Sequence, residues 1–160
     1  MGDITGVFTV LVDGGDHDEP VADAVRGILD GHLVLSRTIA EQGRYPAVDV
    51  LKSVSRALPS CHGTAENATI AAARALLSRY EAMEEMIRLG AYRPGSDPDL
   101  DRAIRAMPDL RRLLTQAKGD STSSSDTFAA LDTILTATNP PPPPPDPPPA
   151  TSRRGLPKPG

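Results

Sequence analysis

The sequence predicts an α/β segment, then an all-α helical bundle, then an extended proline-rich tail. Three observations predict it. Before Gly43, apolar β-branched runs alternate with short helical patterns. From Thr64 to Leu89 the apolar period becomes helical, with no proline or glycine. From Pro140 to Pro145 the chain is continuous proline, and Pro147 to Pro149 follow Asp146.

Each element has its own local reason. Ile4 to Val12 is β-branched and aromatic with little polarity, the mark of a strand covered on both faces as in a parallel sheet. Pro20 suits a first helical turn and opens a helix to Leu29, with acidic residues before it to match the helix dipole. Gly31 is the expected stop of that helix. His32 to Leu35 is a second short strand. Ser36 caps a turn from Arg37 to Gln42 that ends at Gly43. Strand, helix, strand, helix is the order of an α/β sheet. Two short strands, however, do not make a sheet that stands alone, so this segment must lean on something else.

Downstream, Ile70, Ala73, Leu77, Tyr80, Met83 and Ile87 recur at three- and four-residue steps. They form one stripe on a helix of about seven turns. Its other face carries Arg74, Arg79, Glu81, Glu84, Glu85 and Arg88 and is expected to be solvated. Asp97-Pro98 reads as a cap and first turn for a helix bearing Leu100, Ile104 and Met107. Pro108 is expected to start a further helix with Leu110, Leu113 and Leu114. The small polar run from Gly119 to Ser125 reads as a loop. Asp126 then leads a last helix with Phe128, Leu131, Ile134 and Leu135. The tail is a stiff polyproline II rod, a ligand for an aromatic-lined groove or a disordered extension.

Composition narrows the function. The 160 residues carry 17 basic and 21 acidic side chains, a net charge of −4. That balance gives no push toward nucleic acid or an anionic membrane surface. The single Cys61 excludes an intrachain disulfide and fits a reducing compartment. The longest aliphatic stretch, Val7 to Val12, is too short to span a bilayer. The amino terminus lacks the basic and apolar regions of a targeting segment, so the expected location is the cytoplasm.

Tyr45 to Arg56 holds the most chemistry. It supplies an aromatic ring beside Pro46, the Asp49 carboxylate, the hydroxyls of Ser53 and Ser55, and the Arg56 guanidinium. An aromatic ring stacks on a nucleobase without selecting it strongly. A planar guanidinium neutralises charge spreading over phosphoryl oxygens. Blander readings stand beside these: Arg56 paired with a carboxylate such as Asp49, and Tyr45 a half-buried structural ring. No Gly-x-x-x-x-Gly-Lys-[Ser/Thr] loop occurs anywhere, so the usual phosphate cradle is missing. Asp13, Asp16, Asp18 and Glu19 lack the spacing of a calcium loop. Cys61-His62 has no second pair for zinc, and His17 and His32 have no partner pattern. No metal site is expected.

Taken together, several stretches resemble the flagellar and type III secretion export ATPases, relatives of the rotary ATP synthase catalytic subunits. They are Ile4 to Val12, Asp30 to Arg37, Gly43 to Asp49, Ser53 to Arg56, Arg79-Tyr80, Ile87 to Tyr92 and Gly95 to Pro98. The likeness runs in unbroken order over residues 3–135. The stretch from Gly90 to Pro98 leans toward the flagellar branch. The resemblance implies the closing part of a RecA-like P-loop nucleotide-binding domain over residues 1–62. A helical carboxy-terminal domain over 63–136 and a disordered tail over 137–160 would follow.

By that resemblance Arg56 matches the arginine finger that reaches in trans into a neighbouring subunit's active site. Tyr45 matches the position packing on adenine. ATP with Mg²⁺ would be held mainly by residues absent from this sequence, so the chain is expected to be inactive alone. It would work in a homohexamer, or with a P-loop-bearing subunit, to drive protein export. Its partners would be export chaperones and secretion substrates, with peripheral membrane association through the export apparatus. The alternatives are a non-catalytic binding module docking those partners through Thr64 to Leu89, or a truncated remnant.

Overall fold

The computed structural model of the chain describes residues 5–11 and 20–139. The elements are α1 (Pro20–Ile28), β1 (Gly31–Leu35), α2 (Arg37–Glu41), β2 (Val48–Ser55), α3 (Thr64–Arg88), α4 (Pro98–Leu113) and α5 (Ser124–Ala137). The core lies where α3, α4 and α5 meet. It consists of Leu76, Leu100, Ala103, Ala106, Leu110 and Leu135, with Leu77, Tyr80, Met83 and Ile87 packed against it. Leu100 is 0% and Leu110 1% exposed, and burying a leucine this fully stabilises the fold by about 1.5–3 kcal/mol.

The helices begin and end for identifiable reasons. Glu66 reaches back to accept from the Gly63 N–H at 3.2 Å, which satisfies one of the orphan donors at the start of α3. Gly90 stops α3 at a φ of 69°, a left-handed conformation that glycine adopts without a Cβ penalty. Asp97 caps α4 by accepting from Asp99 N and Leu100 N, both at 3.1 Å. Pro108 does not start a new helix. It lies inside α4 on an exposed face, where the five buried residues Leu100, Ala103, Ala106, Met107 and Leu110 outweigh one lost backbone bond. Asp126 does not lead α5 either. Ser123 is its cap, accepting from Asp126 N at 3.1 Å, so the expected loop is shorter.

The α/β segment departs further from expectation. Residues 5–11 form no strand and are exposed, since among the described residues the sheet consists of β1 and β2 and offers them no ladder; Ile4 and Val12 lie outside the described residues. Gly31 does not end a helix but begins β1, opposite Ser55. A Cβ there would sit 2.7 Å from Val54 O, so only glycine allows this approach. β1 pairs with β2, and the pairing is antiparallel. Five-residue α2 merely reverses the chain, whereas a parallel crossover must carry it back across the sheet. Ser36 caps α2 as expected, accepting from Ile39 N at 3.4 Å.

β2 is irregular in its middle. Val34 opposes Asp49 while His32 opposes Val54. Two steps along β1 therefore match five along β2, leaving three residues surplus in a bulge. Side chains satisfy the backbone it frees. Asp49, buried, accepts from Leu51 N at 3.2 Å and Lys52 N at 3.1 Å. Ser53 Oγ accepts from Val34 N at 3.0 Å and donates to Asp49 O at 2.6 Å. From α3, Arg74 donates to Val50 O at 2.7 Å and Leu51 O at 3.1 Å. Arg74 was expected on a solvated face. It is half-buried instead, fastening the hairpin to the helices. Among the described residues, no helix is long and apolar enough to cross a membrane. The proline-rich tail lies outside the described residues.

Candidate functional site

Arg56 and Tyr45 stand at opposite ends of β2. The β1–β2 ladder between them has four steps, about 13 Å at strand spacing. Arg56 is fixed through its backbone, its N–H donating to Asp30 O at 2.7 Å as the ladder closes. Its exposed guanidinium rests on the last turn of α1, Nη2 donating to Gly27 O at 3.0 Å and Arg26 O at 3.4 Å. These are orphan carbonyls at the negative end of a helix, a natural seat for a cation. Among the described residues Arg56 makes no ion pair. The bland pairing with Asp49 is not found, because that carboxylate is committed to its own bulge and to Lys52 Nζ at 3.4 Å.

Tyr45 is 56% exposed. Its carbonyl accepts from Gln116 N at 2.8 Å, tying the start of β2 to the segment after α4, and the Tyr45–Pro46 peptide is cis. Among the described residues its ring meets no other aromatic ring and no guanidinium. Beside it lies an open groove of about 840 Å³, lined by Pro46, Val48 and Val50 on one side and Leu114, Thr127 and Ile134 on the other. That is within the usual size range of small-molecule sites. Neither this groove nor the role of Arg74 was visible in the sequence. Both join residues from segments far apart along the chain, and no spacing pattern marks such pairs.

A polar knot closes the other end of α4. Arg79 pairs with Asp97, and Tyr92 donates to Asp97 O at 3.1 Å and Asp101 Oδ1 at 2.8 Å. The Arg79 guanidinium, and then the Leu100 N–H, hold the Asp97 carboxyl below the usual aspartate range. Asp97 in turn raises Arg79. Burial, with the hydrogen bond to Asp101, pushes the Tyr92 phenol up. The knot ties α3 to the turn before α4 and to the start of that helix. Glu84 is likewise engaged, with Arg111 at 3.0 Å, so the face of α3 expected to be solvated is partly tied down. Arg37 pairs with Glu41 at 3.8 Å in the open.

No group of three potential metal ligands occurs among the described residues. His62 stands 3.0 Å from Glu66 and meets Phe128 edge-on at 5.2 Å, a helix-start contact. His32 lies 3.2 Å from Lys52 O. His17 and the acidic run from Asp13 to Glu19 lie outside the described residues.

The chain is similar to known proteins along most of its length. Residues 64–133 match the family described as T3SS EscN ATPase C-terminal domain. Residues 1–55 match the ATP synthase alpha/beta family, nucleotide-binding domain. The flagellum-specific ATP synthase of Caulobacter vibrioides is 55% identical over 132 residues, covering 82% of this chain and 30% of that protein. The SPI-2 type 3 secretion system ATPase of Salmonella typhimurium is 44% identical over 135 residues, 84% of this chain and 31% of that one. The assembled ATPase EscN from the enteropathogenic E. coli type III secretion system superposes with a TM-score of 0.73 at 34% identity. It covers 79% of this chain and 31% of its own. The chain thus spans about 30% of the length of the curated relatives it matches.

Proposed function

The chain belongs to the flagellar and type III secretion export ATPase family, and we propose that it contributes the carboxy-terminal part of an ATP-driven protein-export motor. In this reading a RecA-like nucleotide-binding portion ends near residue 62 and a helical domain follows over 63–136. The observation that carries it is Arg56. An arginine fixed by its backbone, with an exposed guanidinium held by carbonyls and not by a carboxylate, is available to a charge on another subunit. ATP with Mg²⁺, bound by a P-loop-bearing polypeptide, supplies the phosphoryl group that water takes. Arg56 answers the charge that develops there in trans. Tyr45 stacks on adenine, a role its exposure leaves it free to take.

Opposite ends of one strand suit two different nucleotides, one at each subunit boundary. A homohexamer meets that requirement, since each copy then offers Arg56 to one neighbour. The flagellar branch is favoured by the higher identity to the Caulobacter protein. Export chaperones and secretion substrates are the expected cargo, the cytoplasm the expected location, and the membrane is approached only through the export apparatus.

The test is ATP hydrolysis by the chain co-expressed with a P-loop-bearing family subunit. Arg56→Ala should lower turnover by roughly 10³-fold or more with assembly unchanged. Arg56→Lys should not restore it, because a point charge cannot replace a planar fork. Tyr45→Ala should weaken nucleotide binding while Tyr45→Phe preserves it. Full activity in Arg56→Ala, with loss of binding only on deletions in α3, would favour the non-catalytic docking module.

A further inference from the structure

The groove between β2 and α5 takes no part in the chemistry proposed for Arg56. One wall of it is a face of α5, where Thr127, Ala130, Ile134 and Ala137 follow one another at three- and four-residue steps. Thr127, Ala130 and Ala137 are exposed and short, so this wall is shallow and smooth. The chain leaves the helix at the end of the same wall. Thr138 pins that exit: its Oγ1 donates to Ile134 O at 2.9 Å, and its carbonyl accepts from Arg105 Nη2 at 3.3 Å. Pro140 has no N–H and cannot extend the helix. The proline run therefore starts at the rim of the groove.

We propose that residues 140–149 fold back into this groove as a polyproline II rod and strap α5 to the start of β2. Chemistry, length and charge select this occupant. A proline rod presents carbonyl acceptors and no donors. The groove supplies donors at Arg112, Gln116, Ser121 and Thr122, beside the apolar Val48 and Leu114. From Pro140 to Asp146 such a rod spans about 19 Å, while the α5 wall from Ala137 back to Thr127 is about 15 Å long. Asp146, the single acid after Pro140, is thus carried the length of the wall. In the groove the Arg112 side chain is 79% exposed, and its ion pair among the described residues is with Asp109 at 2.7 Å. Beyond Pro149 the tail carries Arg153, Arg154 and Lys158, opposite in sign to the groove's Asp109 and Asp120. Tethering at the rim makes docking intramolecular, an advantage that the tail of a second copy lacks.

The experiment uses the full chain with a spin label at Pro147→Cys, in a Cys61→Ser background, and reads amide broadening by nuclear magnetic resonance. Broadening should centre on Thr127 to Ala137 and on residues 116–122, with a strength that dilution does not change. Ala130→Arg, on the exposed wall, should remove it with helical circular dichroism unchanged. Asp146→Arg should lower the docked-to-free ratio by roughly 1.5- to 5-fold, the range of an exposed ion pair, and adding Arg112→Asp should recover it. No broadening, or broadening indifferent to Ala130→Arg, would overturn the proposal. So would broadening that fades on dilution, since the groove would then hold the tail of another copy. Arg56→Ala should leave docking intact, so the strap and the trans arginine stand or fall separately.

Discussion

The helices and the hairpin of this chain solve the same physical problem with opposite success. From α3 to α5, three amphipathic faces meet, Leu100 and Leu110 vanish from solvent, and Arg102 and Arg105 donate to carbonyls near the end of α5 at 3.4 and 3.3 Å. The helical part supplies its own cover. In the hairpin only Val34 and Asp49 are buried, while Leu33, Leu35 and Val54 face outward. A helix satisfies its backbone internally and needs only one covered stripe. A strand needs neighbours on both edges and cover on both faces. The helices of this chain therefore close well and its described strands poorly.

Four measurements sharpen or break that contrast. The largest effect belongs to the helical core. Leu100→Ala or Leu110→Ala should cost about 2–5 kcal/mol in denaturant unfolding of the chain. A loss below about 1 kcal/mol would mean the core is not closed. Arg74→Ala comes next, about 1.5–3 kcal/mol, since Val50 O and Leu51 O lose a charged donor. Its signature is faster amide exchange in β2 with α4 unaffected; uniform destabilisation would deny that Arg74 is the link between the two regions.

Smaller is the Asp97 knot. Its carboxyl is held below the usual range, so its contribution is complete above the ordinary aspartate pKa near 4 and fades as pH falls through the folded-state value. Thermal unfolding should show that acid limb, and Asp97→Asn should flatten it. Smallest is Leu33→Ala in the isolated chain, under about 0.5 kcal/mol; a large loss would show that the outer face is already covered.

How legible was this in the sequence? The helices were, because a 3.6-residue stripe carries its own evidence: Leu77, Tyr80, Met83 and Ile87 do pack on the core. Pro108 misled because local propensity argues for a break, and tertiary burial of the flanking residues overrides it. The strands were less legible. Val48–Ser55 reads as a carrier of functional residues, without alternation, and its bulge is why. The extra residues shift the period halfway along. Tyr45 and Arg56 stood out by chemistry, yet their seats on Gln116 N and on the carbonyls of α1 depend on contacts no local pattern encodes.

The surplus of three residues in β2 has one more consequence. Each end of that strand is indexed to β1 separately, Leu35 against Val48 and Gly31 against Ser55. The stretch between those two fixed points is clamped from both sides, since Asp49 accepts from Leu51 N and Lys52 N while Arg74 donates to Val50 O and Leu51 O. It works as a buckle: shortening residues 50–52 should loosen the hairpin from α3, while the outer pairs still hold the two ends of β2 against β1.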